Sequence, residues 1–90
     1  MSFRDNTTRC RYELEENGAV TFANYRDGSS GERALQHFET PVEARNKGTA
    51  GRLMEQILTE ARASGRRLQA RCSYAVAYLE RHPEAGDVMR

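Results

Sequence analysis

The sequence predicts an α+β (mixed α/β) fold, an antiparallel β-meander leading into a β-α-β-α unit within one compact domain. Three observations predict it. Runs of alternating apolar and polar residues recur before residue 41, a helical apolar stripe follows, and a further alternating run precedes a second, shorter helical pattern. Ninety residues give room for one small core.

The first ten residues (MSFRDNTTRC) are polar and are expected to be flexible, leaving 11–90 as the folded domain. "RYELEE" then alternates, with Tyr12 and Leu14 on one face. Asn17-Gly18 follows, and "AVTFANYR" resumes the alternation, with Val20 and Phe22 opposite Ala19, Thr21, Ala23 and Tyr25. Two such runs around Asn-Gly signal a hairpin. "DGSSGE" has the composition of a loop. "RALQHFET" reads as a third strand, with Leu35, His37 and Glu39 on one face and Gln36, Phe38 and Thr40 on the other, and Pro41 ends it.

From Ala50 the apolar positions 50, 53, 54, 57, 58 and 61 trace one face of a helix, and Gly65 stands where a C-cap glycine belongs. "RRLQARC" alternates again, with Leu68, Ala70 and Cys72 on one face. A short helix is expected over "SYAVAYLERH", capped by Ser73 and stopped by Pro83. A strand, a crossover helix and another strand favour parallel pairing of strands three and four.

Composition narrows the function. The chain is 38% hydrophobic and 30% charged, as in soluble globular proteins. Fourteen basic against thirteen acidic side chains argue against a dedicated duplex-binding protein. No apolar run reaches the length of a membrane span, and the amino terminus lacks a signal peptide's apolar stretch, so a cytoplasmic location is expected. Cys10 and Cys72 have no metal-ligand spacing; no metal is expected, and both thiols are expected to be reduced.

The stretch "RNKGTAG" at the start of the first helix holds the chemistry. A helix amino end presents unpaired N–H groups and the positive end of the dipole, and glycine lets an anion approach them closely. Gly48 and Gly51 frame the turn, Thr49 and the small Ala50 lie between them, and Arg45, Lys47 and Arg52 add positive charge. The arrangement suits a pyrophosphate. Read from the residues alone, an ordinary strand-to-helix turn with solvated basic residues fits as well.

Arg45-Asn46-Lys47-Gly48-Thr49-Ala50 resembles the Q/R-x-x-G-x-G/A motif of the GCN5-related N-acetyltransferases, placed after a strand and opening a helix. His37-Phe38-Glu39, Gly51-Arg52-Leu53, and Cys72-Ser73-Tyr74 through Tyr78 to Arg81-His82-Pro83-Glu84 extend the likeness to the family's minimal members, over roughly residues 11 to 87. Thr40 departs from the valine usual after the strand-three glutamate. The resemblance implies acetyl-coenzyme A as donor, its pyrophosphate on the loop amides, and an amine acceptor of unknown identity. It also implies a role for Cys72 at the reactive end, and for Tyr78 as a general acid toward the coenzyme A thiolate. In so short a chain the acceptor groove is open, or a partner completes it.

Acetyl transfer needs a held donor, a neutral amine and a stabilised oxyanion. Glu39 and His37, two residues apart just before the loop, are the candidate bases. Cys72, ahead of a helix whose dipole favours a thiol nucleophile, either takes the acetyl group first or lines the site. Plainer readings stay open: Cys72 as a buried inert thiol, His37 and Glu39 as a solvated pair, Tyr78 as a core aromatic. The expected function is an acetyl-coenzyme A-dependent N-acetyltransferase. The rivals are a non-catalytic coenzyme A-binding module and a protein-interaction domain on the same fold.

Overall fold

The computed structural model describes residues 2–90. The elements are β1 (Ser2–Asn6), β2 (Arg11–Glu16), β3 (Ala19–Asp27), β4 (Arg33–Glu39), α1 (Thr49–Ser64), β5 (Leu68–Ala70) and α2 (Ser73–Arg81), with 3-10 turns at Val42–Ala44 and Pro83–Asp87. The strands form one sheet in the order β1-β2-β3-β4-β5, antiparallel except for the parallel β4–β5 pair. Both helices contribute to a single core with one face of this sheet, where Tyr12, Leu14, Tyr25 and Leu35 meet Leu53, Ile57 and Tyr78. Asn17 and Gly18 both have positive φ, 53° and 80°, as a two-residue hairpin between right-twisted strands requires.

The amino terminus corrects the expectation of a flexible leader. Ser2–Asn6 pairs antiparallel with β2 along its whole length. Its inward face explains why so polar a segment is ordered. Phe3 stacks on Tyr12 with ring centroids 5.7 Å apart, and Asp5 accepts hydrogen bonds from Tyr25 at 2.5 Å and from Arg33 at 2.9 Å. Arg33 is itself buried, forks onto Asp27 at 2.6 and 3.0 Å, and lies 3.7 Å over the Tyr25 ring. The strand's carboxylate thus completes the shell of a buried cation, which composition does not reveal.

A second correction concerns β4. Tyr25 pairs with Leu35, but Asn24 pairs with His37, so Gln36 is an extra residue and β4 bulges there. Leu35 stays on the helix-covered face, whereas His37 and Glu39 turn to the opposite face and Phe38 takes the inner one opposite Ala23. The expected alternation of Leu35, His37 and Glu39 is broken because one inserted residue reverses every side chain beyond it.

The third correction is at β5, which ends at Ala70 and does not reach Cys72. Its pairing with β4 covers Leu68–Ala70 against Arg33–Leu35, and the amide of Arg71 then donates to the Leu35 carbonyl at 3.0 Å. Beyond that bond the chain leaves the sheet into α2, and among the described residues β4 has no strand neighbour on that side. The other edge of β5 is covered by the carboxy-terminal residues, with Leu68 N–H donating to Val88 O at 2.7 Å and Ala70 N–H to Arg90 O at 2.6 Å. Among the described residues no helix is long and apolar enough to cross a membrane.

Candidate active site

Past the end of β5, β4 runs on alone to Glu39, and the start of α1 faces the space beside it. Gly48 is the N-cap of α1, with φ 76°, and Asn46 before it is also left-handed at 62°. No side chain caps the helix and its first turn carries no acid. Among the described residues the amides of Gly48, Thr49, Ala50 and Gly51 find no acceptor, so the positive end of the dipole is left bare.

This turn lines an open cleft of about 850 Å³. Phe38 and Glu39 form its strand side, Arg45 its loop side, and Tyr74 and Arg81 its α2 side. Arg45 is steadied by donating from Nε to the Thr40 carbonyl at 3.2 Å. Tyr74 packs on Phe38 with centroids 4.7 Å apart, and its hydroxyl would lie 3.9 Å from a Cβ placed on Gly51. Burial pushes the Tyr74 phenol up, with Tyr78 adding to the shift and Arg81 opposing it. A proton donor and two arginines therefore face the same space as the free amides.

Seven of the residues singled out in the sequence line this cleft: His37, Glu39, Arg45, Gly48, Thr49, Ala50 and Gly51. His37 Nε2 lies 3.1 Å from Glu39 Oε1, so the two outward-turned side chains form an exposed pair at its rim. Four others lie elsewhere. Arg52 turns behind the loop, its Nε and Nη2 donating to Glu16 at 2.7 and 2.8 Å and Nη2 also to the Lys47 carbonyl at 2.8 Å. Lys47 lines a separate small hollow on that rear side.

Tyr78 is buried and stacks on His82 at 4.3 Å, beside a second groove between the helices. Cys72, not Ser73, is the N-cap of α2; its Sγ accepts the Ala75 amide at 3.5 Å and it lies outside the cleft lining. Both cysteines are free thiols.

Six cleft residues lie outside the site predicted from the sequence, and the two with chemistry to offer are Tyr74 and Arg81 on α2. Their seven-residue spacing on α2 puts them on one face, two turns apart, and that spacing is visible in the sequence. What was missing is which way that face points.

A family model described as GCN5-related N-acetyl-transferase matches residues 11–88. The chain belongs to the GCN5-related N-acetyltransferases. None of the curated proteins matches it. Membership gives this small domain a general acetyltransferase role, and the mixed sheet with its crossover helix accords with the family's fold. In this family member the four bare amides and the flanking arginines are the feature of the cleft that suits an anionic group.

Proposed function

We propose that the protein transfers an acetyl group from acetyl-coenzyme A to an amine. The observation that carries the reading is the uncapped amino end of α1, its amides free, opening onto a cleft that Arg45 and Arg81 flank. The amides of Gly48 to Gly51 hold the pyrophosphate, and the two arginines add charge-assisted contacts. Past Leu35 the unpaired edge of β4 offers backbone groups to the amides of the pantetheine arm, as an exposed strand edge does for an extended peptide.

The amine nitrogen attacks the thioester carbonyl carbon, and collapse of the tetrahedral intermediate breaks the C–S bond. Glu39, with His37 beside it, takes the proton lost by the amine. Tyr74 gives a proton to the departing thiolate, a role its cleft-facing hydroxyl supports and the buried Tyr78 does not. Direct transfer is favoured over an acetyl-Cys72 intermediate, because Cys72 lies outside the cleft lining with its sulfur accepting the Ala75 amide. Arg52 and Lys47 act from behind the loop rather than on the ligand.

The test is release of coenzyme A thiol from acetyl-coenzyme A with a polyamine, a lysine-containing peptide and a peptide with a free amino terminus. Amine-dependent release is expected with at least one. Tight donor binding with no release from any would favour the non-catalytic coenzyme A-binding module.

A further inference from the structure

Glu16, at the end of β2 just before the hairpin turn, belongs to neither the cleft nor the sequence motif, yet its carboxylate is tied to the phosphate loop at three points. Oε1 accepts from Thr49 Oγ1 at 3.1 Å and from Arg52 Nη2 at 2.8 Å, and Oε2 accepts from Arg52 Nε at 2.7 Å. The same Arg52 Nη2 donates to the Lys47 carbonyl at 2.8 Å and approaches Thr49 Oγ1 at 3.3 Å. A chain of hydrogen bonds therefore runs from the hairpin, through Arg52, to the backbone of the residue preceding Gly48. Thr49 is buried and Glu16 is mostly covered, while Arg52 stays partly exposed and its bond to the Lys47 carbonyl lies at the surface.

Gly48 belongs to the same arrangement. A Cβ there would come within 3.1 Å of Arg52 Nη1, so the bare backbone at this position makes room for a side chain of the protein itself. At Gly51 a Cβ would meet only the Tyr74 hydroxyl, at ordinary contact distance on the cleft side.

We propose that Glu16 is a positioning residue for the donor site: through Arg52 and Thr49 it fixes the left-handed turn at Gly48 that aims the free amides into the cleft. The proposal rests on the reading of that turn as the pyrophosphate site. It makes Arg52 a strut between sheet and loop, and it explains why an arginine beside an anion site points away from it. Lysine could not replace it, because a single ammonium cannot fork onto Glu16 while also holding a carbonyl.

The sign of the effect separates this role from simple electrostatics. Removing a carboxylate close to an anion site should, by charge alone, tighten anion binding. Loss of preorganisation should weaken it, because the ligand must then order the loop. The experiment compares wild type, Glu16→Gln and Arg52→Lys by calorimetric titration with coenzyme A, well below the melting temperature of each. Amide chemical shifts and hydrogen exchange at Gly48 to Gly51 are recorded in the ligand-free proteins.

Both variants are expected to bind roughly tenfold more weakly, with faster exchange and displaced shifts at the loop amides. A merely structural ion pair would lower the melting temperature and leave affinity and loop amides unchanged. Unchanged or tighter binding of Glu16→Gln would overturn the proposal. If the wild type bound no coenzyme A, the donor-site reading would fail, and the ligand-free loop amides would still decide whether Glu16 sets the turn.

Discussion

At the scale of single residues, the contrast between Tyr74 and Tyr78 is the most informative. They stand one helical turn apart with rings 6.3 Å from each other, yet Tyr74 lines the cleft and Tyr78 fills the core. Tyr74→Phe removes the donor without removing the ring that packs on Phe38. It is expected to lower kcat by on the order of 10²-fold and leave coenzyme A affinity near that of wild type, measured by steady-state kinetics and calorimetry. Tyr78→Phe should change kcat little.

Gly48 invites a second substitution. Gly48→Ala places a Cβ on a left-handed residue and against Arg52, and should cost about 1–2 kcal/mol in urea unfolding. Gly51→Ala, in ordinary helical backbone, should not destabilise. The residue types are plain in the sequence; their orientation is not. Tyr74, Tyr78 and Arg81 all sit on one short helix, and only the packing of α2 decides which of them faces the cleft.

At the scale of elements, the Asn-Gly hairpin, the helix ending at Gly65 and the parallel β4–β5 pair were readable because each rests on local chemistry or strong periodicity. The bulge at Gln36 was not, since nothing in "RALQHFET" marks the extra residue. It shapes the cleft, because it turns His37 and Glu39 to the outer face and leaves Phe38 inside against Tyr74.

Strand β1 was missed for a different reason. Its order depends on a buried arginine more than twenty-five positions away, and long-range ion pairing has no local signature. Deleting residues 2–6 strips Phe3 from Tyr12 and removes Asp5 from Arg33 and Tyr25. The loss should reach about 3 kcal/mol or more in equilibrium unfolding. A change within about 0.5 kcal/mol would mean the segment behaves as a loose tail after all.

At the scale of the whole molecule, a small core is supplemented by ion pairs that hold carboxylates below their usual range. Arg33 lowers Asp27, Arg52 lowers Glu16, and Arg62 lowers Asp87; for Glu13, burial pushes up, but Arg11 and Arg4 outweigh it. Groups depressed in the fold stabilise it above their unfolded values and lose that effect as pH falls through the folded ones. Tyr12 has the opposite sign. Burial raises it to about 12, so its contribution is complete below the ordinary phenol range and disappears as pH climbs from about 10 toward 12. Melting temperature against pH should therefore be a plateau that falls below about pH 4 and above about pH 10. A flat profile at the acid end would show that these pairs add nothing to stability.

The family, the antiparallel meander and the glycine turn that opens α1 could all be read from ninety residues. The cleft could not, because it exists only where β4 runs on past the end of β5 and α2 packs beside the gap.

The central claim is that the bare amides of α1 hold the donor. Titration of ¹⁵N-labelled protein with acetyl-coenzyme A, followed through the backbone amides, tests it most directly. Large saturable shifts at Gly48 to Gly51, extending to Phe38 and Tyr74, are the predicted result. Amides that stay unmoved at millimolar ligand would contradict it.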